Sequence, residues 1–443
     1  MVEEGRNGEG ATDDSHRKSD GVDLISLLPD EILQTILSSL ETFIAVRTSI
    51  LSKRWRHVWS ERYTVRKMMS FELGANLKDK RHYVDRWIEF AMSRNVENMT
   101  LIVSNHGDKK YHIPDFFYIN NSIRQISVNG SCSGLTIPSY VSWTSLKMLS
   151  LTYFKLYDEC IDKIVSGCPV LESLSLSFCH ELMVLDLSKS LSLRTLEILN
   201  IEFLCPKQIV APHLRCLKLR HPLLPCTLVD VSSLNEARLN IFFSGHHLEA
   251  DFLQDTVLKM LEKLQNVEKL TLGENFLNIL SLAELRCVPF PSFKVKNLTL
   301  VTMISQYVIP GIVRVLQNSP ELEKLTTIHT VDLYDCIPEK HIDTYLNLKS
   351  LNSDQCWSME ARVFENISYG DIESKHVVSF MELMFKNTKT LEKMVVWLER
   401  YDQGRNFEEL LEMVPVLSDE NNITIVFSSS KSKNRDSIGS ICD

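Results

Sequence analysis

Cys179-His180-Glu181 sets a thiol, an imidazole and a carboxylate side by side, the residue types of a nucleophile with its base. Adjacency counts against that chemistry, because catalytic partners meet in space from separate elements rather than along the chain. Gly130-Ser131-Cys132-Ser133-Gly134 has the outline of a nucleophile elbow. An elbow needs a strand–turn–helix with a paired His and acid; here the segment follows an apolar, strand-like run and reads as a Gly/Ser loop. His246-His247 lacks further ligands at metal spacing and reads as a polar loop. The eleven cysteines form no CxxC pair and no regular pattern, so they read as small buried apolar residues of a reducing compartment. No HExxH, P-loop or GxGxxG motif occurs. The residues therefore point to a non-enzyme with neither metal nor cofactor, whose work is binding.

At 443 residues the chain is long enough for a large core and for two or three domains. Apolar residues make up 44% and charged residues 24%, as in an ordinary soluble protein. A net charge of −9 argues against a general nucleic-acid partner, since nothing offsets repulsion from phosphate. The cluster Lys53, Arg54, Arg56, Arg62, Arg66 and Lys67 reads as a solvated face. The first twenty residues are polar, without an apolar core of a secretory signal. No run of about 18 apolar residues is present, so no membrane span is expected, and the location expected is nucleus and/or cytoplasm.

The elements that must do the binding begin with residues 23–59. Pro29 suits a first helical turn, and Asp30 and Glu31 suit the positive end of the helix dipole. Ile32, Leu33, Ile36, Leu37 and Leu40 then recur at one-turn spacing. Phe43, Ile44 and Val46 open a second short element reaching Ile50 and Leu51. Ser52 caps a third, with Trp55, Val58 and Trp59 on one face. Helices this short are marginal alone, and periodicity leaves two roles open, a cap on the rest of the chain or an exported interface.

Leu28-Pro29-Asp30-Glu31-Ile32-Leu33, Ile36-Leu37-Ser38, Val46-Arg47-Thr48-Ser49 and Leu51-Ser52-Lys53-Arg54-Trp55-Arg56 together resemble an F-box, in the form found in plants. The resemblance implies docking on a Skp-type adaptor, which links such proteins to a cullin and a RING ubiquitin ligase. It further implies that Leu28, Pro29, Ile32, Leu33, Leu37, Val46, Leu51, Trp55 and Trp59 line the adaptor interface. One departure stands out. The family's second helix usually opens with a Leu-Pro pair, and this chain reads Leu40-Glu41-Thr42-Phe43.

From residue 96 a pattern of apolar, two residues, apolar, one residue, apolar recurs. It runs Val96-Met99-Leu101, Ile123-Ile126-Val128, Leu146-Leu149-Leu151, Leu171-Leu174-Leu176 and Leu193-Leu196-Ile198. It continues as Leu214-Leu217-Leu219, Leu234-Ala237-Leu239, Val267-Leu270-Leu272, Val295-Leu298-Leu300 and Leu322-Leu325-Thr327. Starts are 20 to 33 residues apart, which predicts an irregular leucine-rich-repeat solenoid. The unit at Leu182 comes only 11 residues after its neighbour and does not fit. Each unit supplies one short strand whose leucines pack inward on the next. Residues between them, such as Lys147 and Ser150, Glu172 and Ser175, Arg215 and Lys218, and Glu268 and Thr271, face out as the default partner surface. The resemblance also implies a further reading, a small-molecule co-receptor like hormone-sensing relatives that hold a polyphosphate in a basic pocket; Arg194, Arg215, Lys218 and Arg220 offer a start for one, and Glu172 and Glu197 oppose it.

Residues 341–428 depart from the pattern, with a helix at Val377–Phe385, a strand at 390–397, a helix at Phe407–Met413 and a strand at Ile423–Phe427. Leu391-Glu392-Lys393-Met394 and Ile425-Val426-Phe427 resemble the FBD domain of plant F-box proteins. The fold class expected is α/β: a three-helix F-box (22–65), a connector with a helix at Tyr83–Met92 (66–95), the solenoid (96–340) and an α+β FBD-like region (341–428). Residues 1–21 and 429–443 are expected to be disordered ends. The resemblance as a whole implies a substrate-recognition subunit of an SCF-type ligase, with an unidentified target on the LRR/FBD surface. The alternative is an interaction scaffold whose F-box does not enter a ligase.

Overall fold

The computed structural model describes residues 28–39, 54, 55, 58, 69–76, 81–104, 111–130, 135, 137–199, 206–220, 226–240, 250–329, 363–364, 372–399 and 405–430. The chain divides into two compact units, Met1–Lys67 and Met68–Asp443. In the first, helix α1 spans Asp30–Ser39. Its acidic first turn, Asp30 and Glu31, faces the positive end of the helix dipole.

The second unit is built on one parallel sheet. Thirteen strands belong to it among the described residues: β1 (Ser70–Asn76), β2 (Asn98–Ser104), β4 (Gln125–Asn129), β6 (Met148–Thr152), β7 (Ser173–Ser177), β9 (Thr195–Leu199), β11 (Cys216–Arg220), β13 (Glu236–Asn240), β14 (Lys269–Gly273), β15 (Asn297–Thr302), β16 (Lys324–His329), β17 (Lys393–Glu399) and β18 (Thr424–Ser430), in that order. Successive side chains of a strand point to opposite faces, so the second and third apolar residues of each repeat share the inner face. Register then stacks them in two columns. Met99, Ile126, Leu149, Leu174, Leu196 and Leu217 are partners across successive strands, as are Leu101, Val128, Leu151, Leu176, Ile198 and Leu219. All residues named in the ten triads are buried. At about 2 kcal/mol for each aliphatic side chain removed from water, these columns are the main favourable term of the unit.

The inner face is covered in two ways, and the difference explains the uneven repeat lengths. Long steps carry a helix: α3 (Asp158–Gly167), α4 (Ala250–Glu262), α5 (Glu274–Leu285) and α6 (Ile309–Gln317), preceded by α2 (Arg81–Ser93) between β1 and β2. The short steps from Leu193 to Leu234 return through strands of three or four residues, β10 (Gln208–Val210) and β12 (Thr227–Asp230). These pair with β8 (Val184–Asp186) in a second parallel sheet, stacking Leu185, Ile209 and Leu228. The misfit triad at Leu182 is therefore no repeat strand of the main sheet; it reaches the back sheet through Leu185. Asp186 and Asp230 each accept a backbone N–H two residues on, from Ser188 and Ser232, and this turns the chain back toward the main sheet. A two-residue pair, β3 (Ile119–Asn120) with β5 (Ser142–Trp143), plays the same part near the start.

Two expectations change at the ends. The connector expected at 66–95 does contain its helix, with Ile88 fully buried and Trp87 and Met92 partly so. It also supplies β1, which pairs with β2 along its whole length and puts Phe71 opposite Met99. The ladder thus begins ahead of residue 96. At the other end the helix–strand–helix–strand order is present, as α7 (Ser374–Lys386), β17, α8 (Arg405–Asn421) and β18. The sheet does not break there: Leu325 pairs with Met394 and Met394 with Ile425, all parallel. Leu391, Met394 and Val396 are buried at the same spacing as the earlier triads. β18 runs through Ser430, past the expected start of the tail at 429.

Corners where strands leave the sheet carry unusual backbone. Tyr153 and Phe178, the residues after β6 and β7, have φ of 61° and 52°. Left-handed backbone at a bulky residue costs about 1–2 kcal/mol. The two rings stack at 4.8 Å and 11°, which offsets about 1 kcal/mol of it. Glycine is required where backbones approach closely, as between α5 and α6. A Cβ on Gly311 in α6 would lie 2.3 Å from the Leu277 carbonyl oxygen of α5, and the Gly311 N–H donates to Ser281 Oγ at 2.8 Å. Helix propensity alone predicts that Gly311→Ala stabilises by about 1 kcal/mol. The clash reverses the sign, so a melt of Gly311→Ala should show destabilisation of about 1–3 kcal/mol.

Candidate functional site

In the first unit the apolar stripe of α1 splits between two surroundings. Leu33 and Leu37 are buried against Trp55 and Val58, with Leu28 partly buried beside them. Ile32 and Ile36, one turn apart, are 46% and 37% exposed, and Pro29 is exposed too. The clamp that holds this arrangement is Arg54. Its guanidinium donates to Asp30 Oδ1 at 2.6 and 2.8 Å and to the Leu28 carbonyl. The SKRWR stretch is thereby tied to the entrance of α1, and the basic residue read as one of a solvated cluster is a fastening. Among the residues expected to line an adaptor interface, Leu33, Leu37 and Trp55 are buried inside the unit. Ile32 and Pro29 face outward, with Leu28 between. Ile36, outside the expected set, joins them. Val46, Leu51 and Trp59 lie outside the described residues, as does Leu40-Glu41-Thr42-Phe43.

In the second unit the outer sheet face is the open one as far as β15, and at β16 it is covered, with Thr326 and Ile328 buried. Ser150, Ser175, Lys218 and Thr271 occupy its central row, as expected from their spacing. Lys147, Glu172, Arg215 and Glu268 sit just before their strands, where a Lys147–Glu172 ion pair of 2.7 Å bridges neighbouring repeats. The basic start of a pocket is divided. Arg220 lies 3.6 Å from Glu197, and the Arg194 guanidinium donates to the Leu191 and Leu193 carbonyls. Positive charge here interleaves with carboxylates instead of converging on a cavity.

The reactive-looking residues have structural employment. Cys179 Sγ is buried 3.5 Å from the carbonyls of Leu151 and Ser177, and burial pushes its thiol up to about 12. The His180 N–H donates to the Phe154 carbonyl at 3.1 Å, continuing the corner ladder. Glu181 turns to Lys155 at 3.4 Å. A thiol held protonated by burial, with the neighbouring carboxylate paired to Lys155, is not poised for attack. Gly130 ends β4's exit, and the rest of the Gly/Ser loop to Gly134, with His246-His247, lies outside the described residues. Among the described residues no group of three or more His, Cys, Asp or Glu is placed to hold a metal, and no helix is long and apolar enough to cross a membrane.

One buried titratable group was invisible to motif reading. His329 ends β16 with its Nδ1 accepting from the Ile304 N–H at 3.4 Å. Burial lowers it to about 4, against a smaller opposing hydrogen bond that the ring donates to the Thr302 backbone. Nearby, the buried Glu274 carboxylate at the start of α5 accepts from the Met303 N–H at 2.7 Å and Thr302 Oγ1 at 3.2 Å. These groups fasten the exit of β15 and line no described opening.

Comparison with known proteins follows the same division. The model of the F-box domain matches residues 25–67, and the At1g61320/AtMIF1 LRR domain model matches residues 62–397. The latter match therefore runs through Leu391–Met394, on which the FBD resemblance partly rests. The chain is 50% identical to the F-box/LRR-repeat protein At3g03360 of Arabidopsis thaliana, over 93% of this chain and 92% of that one. It is 52% identical to the putative F-box/LRR-repeat protein At3g18150 of the same plant, over 93% of each. With the F-box/LRR-repeat protein At5g02910, also of Arabidopsis thaliana, it shares 49% identity over 92% of this chain and 95% of that one.

Two measurements check these assignments. Native Cys179 should resist iodoacetamide that modifies it readily once the chain is unfolded, read by peptide mass spectrometry. His329 binds a proton in the unfolded chain near pH 6.5 but in the folded chain only near pH 4. Its contribution is thus present above about pH 6.5 and lost as pH falls toward 4, by up to about 3 kcal/mol. Melts between pH 7 and 5 should show about 2 kcal/mol of that loss, and His329→Gln should flatten it.

Proposed function

The chain belongs to the F-box/LRR-repeat family, and from that premise we propose that it is the substrate-recognition subunit of an SCF-type cullin–RING ubiquitin ligase. The first unit binds a Skp-type adaptor. The outer face of the repeat sheet, with the region of β17 and β18, holds a target protein. Covalent transfer is left to the other subunits. What this chain contributes is effective concentration: a target held beside a charged ubiquitin carrier reacts as though intramolecular. Nucleus and cytoplasm are the proposed locations, where such ligases and a thiol-rich chain are both at home.

The observation that carries this reading is the split of the α1 stripe. Two isoleucines one turn apart stay exposed while their immediate neighbours form the unit's own core. Exposed aliphatic pairs of this kind are what a partner's apolar groove takes up. On this reading Pro29, Ile32 and Ile36 contact the adaptor directly, whereas Leu33, Leu37 and Trp55 hold α1 in position to do so. The departure at Leu40-Glu41-Thr42-Phe43 favours a second reading, an interaction scaffold whose F-box does not dock.

A pull-down with a purified Skp-type adaptor separates them. Wild type should bind, and Ile32→Asp or Ile36→Asp should weaken binding at least about tenfold with the melting temperature unchanged. Trp55→Ala should lose binding together with the fold of the first unit, seen as increased proteolysis before residue 68. Wild type that does not bind the adaptor sinks the ligase reading and establishes the scaffold.

A further inference from the structure

The outer face of the sheet is not uniform. On β2, β4, β6 and β7 its outward positions hold serine, threonine, asparagine and glutamine, with Ile102 and Met148, and not one ionisable side chain. The next three strands are different, carrying Glu197, Lys218, Arg220, Glu236 and Arg238. Most charges that border the neutral strip are matched, Glu72 of β1 beside Thr100 being the exception. Lys147 pairs with Glu172 at 2.7 Å and Arg124 with Glu97 at 3.8 Å before the strands, and Lys155 pairs with Glu181 at 3.4 Å beyond them. Short hydroxyl side chains along the centre, Ser127, Ser150 and Ser175, let a partner's backbone come close to the sheet and offer it donors and acceptors. Such a strip is stripped of water at little cost, because no charge has to be dehydrated.

The stacked Tyr153 and Phe178 stand at the rim of this strip, each following the last outward residue of its strand. Both keep a left-handed backbone that glycine would take up freely. Strain retained in two consecutive repeats, for rings that stay partly exposed, marks a use beyond packing. We propose that the neutral strip on β2 to β7, with the Tyr153–Phe178 stack as its anchor, takes an uncharged, extended, aromatic-bearing segment of the target protein. This rests on the reading of the sheet face as the target side. It adds which third of that face is used and the chemistry of what it takes. The neutral surface, with the Lys147–Glu172, Arg124–Glu97 and Lys155–Glu181 pairs along its two ends, selects against acidic and basic segments, and rigid aromatic rings are the usual anchors of peptide contacts.

The test is selection of random dodecapeptides displayed on phage against the full-length chain, immobilised through its N-terminus. The recovered pool should be rich in Trp, Tyr and Phe and poor in charge. Its binding should fall about tenfold or more with Ser175→Arg and with Tyr153→Gly/Phe178→Gly, and stay within about twofold with Lys218→Glu. The glycine pair relieves backbone strain, so its melting temperature should hold within a few degrees, and a loss of binding then reports the rings rather than the fold. A charged pool that responds to Lys218→Glu and ignores Ser175→Arg would overturn the proposal and leave the face as the target side. A pool indifferent to every variant on the face, or no enrichment, overturns both, while the adaptor pull-down remains an independent result.

Discussion

Everything in the second unit follows from parallel register. A strand in this sheet has one way to enter: with its two inner residues over those of the strand before it, as Leu174 lies on Leu149 and Leu196 on Leu174. Slipping any strand by one residue would drive Ser150 or Glu197 into the core and expose the leucines beside them. Backbone hydrogen bonds reinforce the same register one residue ahead of the strands, where the N–H of Lys147 reaches the Arg124 carbonyl and that of Glu172 reaches the Lys147 carbonyl. No single coil can enforce this alone, since its apolar edge is completed only by the next one. Variation has to be absorbed between strands. The chain does so by switching from helices to three- and four-residue return strands and back, while the columns continue undisturbed.

That constraint also sets how much the sequence discloses. The ten apolar triads were readable because two-residue alternation and a common inner face leave a period that survives changes of loop length. β1 was missed although Met68, Phe71 and Leu73 keep the same spacing, because a single unit ahead of the run, with Leu73 only half-buried and Gly74 and Ala75 after it, stands out little from an ordinary connector. The back strands were too short for any period to register, so the Leu182 triad looked like a repeat out of step. At the far end, Leu391, Met394 and Val396 kept the repeat spacing, yet their likeness to another domain drew attention to a boundary where the sheet continues.

The first unit was harder for a different reason. A helical stripe says that Ile32, Leu33, Ile36 and Leu37 share one broad face, but not which edge turns inward. That depends on where Trp55 and Val58 arrive from a distant part of the chain. The role of Arg54 was hidden likewise, since a guanidinium aimed at Asp30 and the Leu28 carbonyl is indistinguishable in sequence from a solvated one. The chemistry was the most legible part: adjacency alone argued against Cys179-His180-Glu181, and burial of the thiol supplies the physical reason. His329 gave no signal, because nothing in its neighbours foretells that both faces of β16 are covered.

The separation of inner columns from outward positions has a consequence for how such a chain changes over generations. Replacing Leu149 or Leu174 opens a cavity and threatens folding, whereas replacing Ser150 or Ser175 alters little but the surface. The outward face is therefore made of residues that selection for stability scarcely sees. Copies of one ancestral scaffold can drift apart in what they hold while remaining interchangeable in how they stand up. Mutational tolerance is in that sense a product of the pleat.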